Sequence, residues 1–108
     1  MSRHFLLPAL LCLVMAQSPF ADEFSRQREQ LMTAIADLAT ETAAETGRPA
    51  FSAAVMAALT QVPRHRFVPL DQVPYAYENR PLAIGHGQTI SQPYIVALMT
   101  DVIDPRHD

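Results

Sequence analysis

Gly85-His86-Gly87-Gln88-Thr89-Ile90-Ser91-Gln92-Pro93-Tyr94 (GHGQTISQPY, residues 85–94) is the stretch on which the reading of this chain turns. Its two glycines permit backbone conformations that other residues adopt only at a cost. Gln88, Thr89, Ser91 and Gln92 then place four hydrogen-bonding side chains within five positions. Ile95, Leu98, Met99 and Val102 follow at helical spacing, which predicts a helix over residues 92–103 with these four on one face. Ser91 stands where an N-cap belongs, and Pro93 falls in the first turn, where proline is tolerated. A helix start leaves backbone N–H groups without internal partners. Those groups and the positive end of the helix dipole favour a carboxylate or phosphate. Two readings stay open from the residues alone: an anion-binding polar loop at a helix start, or a capped helix whose polar side chains satisfy only its own backbone.

Working upstream, residues 22–46 predict one long helix, rich in Ala, Glu, Gln and Leu. Leu31, Ile35 and Leu38 form its apolar stripe, while Gly47 and Pro49 end it. Residues 52–62 predict a second helix, capped by Ser52, striped by Val55, Leu59 and Val62, and stopped by Pro63. Between residues 64 and 81, Pro69, Pro74 and Pro81 exclude a long helix. Phe67, Val68 and Leu70 are expected to pack against the helices there, and Tyr75 and Tyr77 to form an aromatic cluster beside Glu78. Arg64, His65 and His86 are expected to face solvent. Residues 82–85 suit a short extended segment, and Gly85-His86-Gly87 a flexible turn. Asp71 and Glu78 are separated by proline-containing loop, and nothing pairs them for acid–base work. His65, His86 and His107 lack metal-ligand spacing, so no metal is assigned.

The other end of the chain has a different character. Arg3 and His4 precede an uncharged apolar run, Phe5 to Ala16, followed by small and polar residues and then Asp22 and Glu23. This is the three-part pattern of an export signal. The run is shorter than the roughly 20 residues of a spanning helix and contains Pro8. Residues 1–21 are therefore read as a signal peptide, with cleavage after Ala21 preferred to cleavage after Ala16. The product is expected in the periplasm or outside the cell, with the cytoplasm as the alternative and no membrane anchor left after cleavage. Cys12, the single cysteine, lies inside the run, so the mature chain has no disulfide or cysteine-based metal site. A net charge of −3 and the absence of lysine disfavour nucleic acid as a partner. About 87 residues remain after cleavage, a size at which a lone domain is marginal.

Three segments carry a family resemblance. GQTISQPYIVALMTD (Gly87 to Asp101) closely resembles the signature region of the protein-L-isoaspartate O-methyltransferases. VPRHRFVP (Val62 to Pro69) and AYENRPLAIG (Ala76 to Gly85) resemble that family's upstream segments in type and interval. The likeness covers roughly residues 52–103 and departs at Ala83, where the family often has proline.

The resemblance implies transfer of a methyl group from S-adenosylmethionine to the free α-carboxylate of an isoaspartyl residue in a damaged protein or peptide. The ester then collapses to a succinimide, which hydrolyses partly to normal aspartate. A carboxylate is already nucleophilic at neutral pH, so positioning can supply much of the acceleration. By the same resemblance Ser91 is the active-site residue, hydrogen-bonding the substrate carboxylate or shaping the loop rather than attacking covalently. Gln88, Thr89 and Ile90 lie on the cofactor side, and Gln92 joins Ser91 on the substrate side. The implied fold is a mainly α N-terminal subdomain (residues 22–108) of a Rossmann-like α/β methyltransferase. Its parallel sheet and glycine-rich cofactor turn are absent from this sequence, which contains no glycine after Gly87. The chain alone is therefore expected to be inactive, and its helices to expose apolar faces that favour self-association. The alternative from another class is an exported binding or helical interaction module that holds peptide carboxylates without catalysis.

Overall fold

Leu31, Ile35 and Ala39 recur at helical spacing and are buried together, and the rest of the chain is arranged around that stripe. The computed structural model describes residues 23–105. The signal-peptide and Cys12 readings lie outside these residues. The elements are α1 (Ser25–Glu41), α2 (Ala43–Thr46), α3 (Ala53–Gln61), two 3-10 turns (Arg64–Phe67 and Leu70–Tyr75), β1 (Leu82–Gly85), β2 (Gln88–Ile90) and α4 (Pro93–Ile103). Helices α1, α3 and α4 pack on one another, burying Phe51, Val55, Ala76, Tyr77, Tyr94 and Ala97 with the α1 stripe. Among the described residues the only sheet is the antiparallel pair β1–β2. No helix among them is long and apolar enough to cross a membrane.

The expected single helix over residues 22–46 is interrupted at Thr42, whose φ of −97° and ψ of 8° leave helical geometry. A side-chain relay sits at this break. The Thr42 hydroxyl donates to the Leu38 carbonyl at 2.8 Å, so the Tyr94 hydroxyl, 2.7 Å away, donates to Thr42 Oγ1. Gly47 then closes α2 in the left-handed region (φ 67°), as its position suggested. Ser52 caps α3 by accepting from the Val55 N–H at 3.2 Å.

The middle segment departs from expectation in several places. Val68 packs against the core, but its neighbours Phe67 and Leu70 are 62% and 89% exposed, because the 3-10 turns carry them to the outside. Tyr75 and Tyr77 do not cluster. Tyr77 turns inward beside Phe24 and His65, while Tyr75 stays outside under the Arg80 guanidinium. His65 and Arg64 are not solvent-facing. His65 stacks on Phe24 with ring centroids 4.1 Å apart, and its Nδ1 lies 2.8 Å from the Tyr77 hydroxyl. Arg28 can only donate to that hydroxyl, at 2.8 Å, so the phenol proton goes to His65 Nδ1. Arg64 Nε donates to the Ala76 carbonyl at 2.8 Å, and desolvation lowers its pKa from the usual value while nearby Tyr77 opposes the shift. Arg64 and His65 therefore tie the 3-10 segment to the core. Val62, expected in the α3 stripe, lies beyond the last helical residue in extended geometry and is half exposed.

Helix α4 meets the core through Tyr94, Ala97 and Asp101. The Asp101 side chain is only 7% exposed. One oxygen accepts from the Ser52 N–H at 2.8 Å, and the other pairs with Arg48 Nη1 at 2.7 Å. One carboxylate thus ties α4 to the start of α3 and to the α2–α3 connection. The Ser52 N–H and then Arg48 hold its pKa below the ordinary 3.8, against the opposing effect of burial.

Ser91 is not the N-cap of α4. That position belongs to Gln92 (φ −52°, ψ 132°), which makes no side-chain cap bond. The Tyr94 N–H instead donates to Asn79 Oδ1 at 3.0 Å, a cap supplied from fifteen residues upstream. Pro93 occupies the first turn as expected.

Two outcomes follow for stability. Asp101→Asn keeps the shape but loses the charge and turns an amide N–H₂ toward one of two donors. It should destabilise the fold by about 2 kcal/mol, lowering the thermal midpoint by roughly 10 °C. A carboxylate with a depressed folded pKa contributes stability above its unfolded pKa and loses it as pH falls through the folded value. Wild-type stability should therefore drop on acidification below about pH 4, and the Asn variant should lose that component; matched thermal melts across pH check both. Ser52→Ala should cost about 1 kcal/mol, whereas Ser91→Ala should stay within about 0.5 kcal/mol of wild type, which denaturant titration distinguishes.

Candidate active site

Residues 82–90 form a hairpin rather than a loop, and Ser91 and Gln92 connect it to α4. His86 and Gly87 make a two-residue turn with φ of 55° and 69°, the sign pattern of a type I′ turn. Leu82 pairs with Ile90, Ala83 with Thr89 and Gly85 with Gln88. The irregularity between Ala83 and Gly85 leaves Ile84 as the extra, bulged residue, next to Gly85 at φ 95°. Thr89 and Ile90 are β-branched and suit a strand, a signal too short to separate from loop by periodicity. His86 is exposed at the tip, as expected.

The hairpin sets where the sequence-designated residues stand. Gln88 and Thr89 are exposed and Ile90 is half-buried. Strand alternation turns Thr89 to the face opposite Gln88 and Ile90. A ligand on one face therefore meets either Thr89 or the Gln88–Ile90 pair. Ser91 follows at the junction with α4, exposed, and its hydroxyl makes no hydrogen bond among the described residues. Gln92 is half-buried and donates from Nε2 to the Asn79 carbonyl at 3.2 Å. Ser91, like Thr89 on the strand before it, thus carries an exposed hydroxyl with no partner among the described residues, while Gln92 is partly engaged in holding the segment.

The helix start has less to offer an anion than the sequence suggested. Pro93 has no N–H, and the Tyr94 N–H is already taken by Asn79. A carboxylate at this junction would rely on the Ser91 hydroxyl and hairpin groups more than on the helix terminus. Asn79 was passed over in the sequence because its partners lie far along the chain. The only available sign was an amide, whose donor and acceptor can serve distant backbone, within a proline-broken stretch.

An open cleft of about 370 Å³ lies along α1, lined by Gln27, Gln30, Leu31, Tyr77, Glu78 and Asn79 among others. None of Gln88, Thr89, Ile90, Ser91 or Gln92 lines it.

The family model for protein-L-isoaspartate(D-aspartate) O-methyltransferase matches residues 41–107, a span that includes the whole hairpin and α4. "Protein-L-isoaspartate O-methyltransferase 2" of Polaromonas sp. is 62% identical over 79 residues, 71% of this chain and 37% of that protein. "Protein-L-isoaspartate O-methyltransferase 1" of Cupriavidus necator is 52% identical over 103 residues, 91% of this chain and 40% of that protein. A Syntrophobacter fumaroxidans "Protein-L-isoaspartate O-methyltransferase 2" is 49% identical over 82 residues, 76% of this chain and 33% of that protein. The chain thus spans about two fifths or less of the length of these relatives. With the family model matched over more than half its length, the chain belongs to the protein-L-isoaspartate O-methyltransferase family.

Proposed function

We propose that this chain is the substrate-facing N-terminal part of a protein-repair methyltransferase. The reaction moves a methyl group from S-adenosylmethionine to the α-carboxylate of an L-isoaspartyl residue. A carboxylate oxygen forms a bond to the methyl carbon as the sulfonium C–S bond breaks, and S-adenosylhomocysteine leaves. The nucleophile is already anionic, so the protein need only align oxygen and methyl. The observation that carries the reading is that the family match spans residues 41–107 and so includes Gln88–Gln92. The geometry adds a hydroxyl at Ser91 that is exposed and uncommitted, suited to hydrogen-bond a carboxylate. Gln92 stands beside it on the substrate side; of the residues assigned to the cofactor side, Gln88 and Ile90 share one strand face and Thr89 lies on the other, so a bound cofactor would meet one of the two sets directly.

The described residues include no parallel sheet and no glycine-rich turn at a strand end. The same reading therefore has the chain acting with further polypeptide that holds S-adenosylmethionine. Helix α4 supports this. Its outer face exposes Ile95, Val96, Met99, Val102 and Ile103, with Met99 59% and Ile103 73% exposed, and carries no charged residue before Asp104. An apolar face of this kind is suited to being covered. In the isolated chain it favours self-association. Export through residues 1–21 to the periplasm or beyond is part of the proposal.

The purified 108-residue chain, incubated with an isoaspartyl peptide and methyl-labelled S-adenosylmethionine, should transfer no label above a no-protein control. Specific labelling of the isoaspartyl peptide over its aspartyl counterpart would refute the requirement for further polypeptide. Binding of the isoaspartyl peptide without any binding of S-adenosylmethionine would favour a non-catalytic carboxylate-binding module. Sedimentation at rising concentration should show association, and Met99→Glu should weaken it; a strict monomer throughout would contradict the role given to the α4 face.

A further inference from the structure

We infer that Asn79 is a positioning residue for the hairpin that carries Gln88–Ile90 and Ser91. The inference rests on the reading that this segment faces the reaction. A two-stranded hairpin of this length is marginal in water unless something else holds it. Here β1 and β2 span four and three residues. Leu82 is the single buried side chain of the two strands, and the tip is exposed. The pairing of Leu82 with Ile90 places Asn79 and Gln92 just outside the open end, on opposite legs.

Asn79 bridges that open end with both of its polar ends. Its Oδ1 accepts from the Tyr94 N–H at 3.0 Å, and its backbone carbonyl accepts from Gln92 Nε2 at 3.2 Å. Ser91 and Pro93 lie beside those two anchor points. Tyr94 is fixed at its other end too, through its hydroxyl and Thr42. A staple at the open end, opposite the His86-Gly87 turn, sets the angle at which the hairpin leaves α4. That angle decides where Ser91 points. Asn79 touches no reacting atom in this account; it acts through Gln92 and Tyr94.

The test uses the full ¹⁵N-labelled chain and two variants. Asn79→Ala removes the side-chain acceptor. Asn79→Asp keeps an acceptor of the same reach, which a helix N-terminus also tolerates. In Asn79→Ala, exchange of the Tyr94 amide should quicken by about tenfold. Residues 82–92 should gain mobility in ¹⁵N relaxation, while amides of Ile35 and Ala39 in α1 stay protected. Asn79→Asp should restore both the protection and the order. Unchanged Tyr94 exchange and hairpin relaxation in Asn79→Ala would overturn the inference. So would an equal loss of protection in α1, which marks a general stability effect. None of these readouts uses methyl transfer, so failure of the staple and failure of the proposed reaction are separately visible.

Discussion

The carboxylate of Asp101 is the constraint on which the arrangement of helices depends. It is buried on α4, yet both oxygens are engaged, one by the Ser52 N–H at the start of α3 and one by Arg48. A buried carboxylate is tolerated only when its charge and lone pairs are satisfied in this way. Removing one partner would leave an uncompensated group in the interior. The bond to Ser52 also satisfies backbone at a helix start, while the Ser52 hydroxyl caps the same helix. Two polar groups of one residue thus face two different tasks. Because α4 is fixed at Asp101 near its end and at Tyr94 near its beginning, the hairpin leading into it is fixed as well.

Much of this was legible in the sequence, for identifiable reasons. Leu31 and Ile35 at helical spacing placed the α1 core face, Gly47 placed the end of α2, and Ser52 and Pro93 placed two helix starts. These signals are local: each depends on residues within a turn or two. The features that sequence reasoning missed are those decided by distant partners. Thr42, where a good helix is interrupted, is hydrogen-bonded to a tyrosine 52 residues later. Asn79 caps a helix fifteen residues away and displaces Ser91 from the role its position suggested. His65 and Arg64 resemble solvent-facing polar side chains until Phe24, Tyr77 and the Ala76 carbonyl are brought beside them.

The candidate site divides in the same way. The segment itself was found through its resemblance to a family, and the family match confirms the membership. Its conformation was not legible, because β2 is three residues long and a strand that short has no periodicity to read. The hairpin changes what the segment can do. Side chains that looked like one polar loop are split between two faces of a strand, and the helix start offers fewer free N–H groups because Pro93 has none and Asn79 takes that of Tyr94. Ser91 remains as an exposed hydroxyl at the junction. The outward apolar face of α4 lies on the same helix, so the surface proposed to meet further polypeptide and the segment proposed to meet substrate are mechanically continuous.

The most direct measurement of the central claim is methyl transfer by a chimera. Residues 23–105 of this chain would replace the matching portion of the Cupriavidus necator relative, whose aligned part is 52% identical and forms 40% of that protein. The account predicts isoaspartyl-specific transfer from S-adenosylmethionine by the folded chimera, lost or strongly reduced in its Ser91→Ala form. A chimera that folds cooperatively and binds S-adenosylmethionine, yet methylates no isoaspartyl peptide while the intact relative does so, would contradict it.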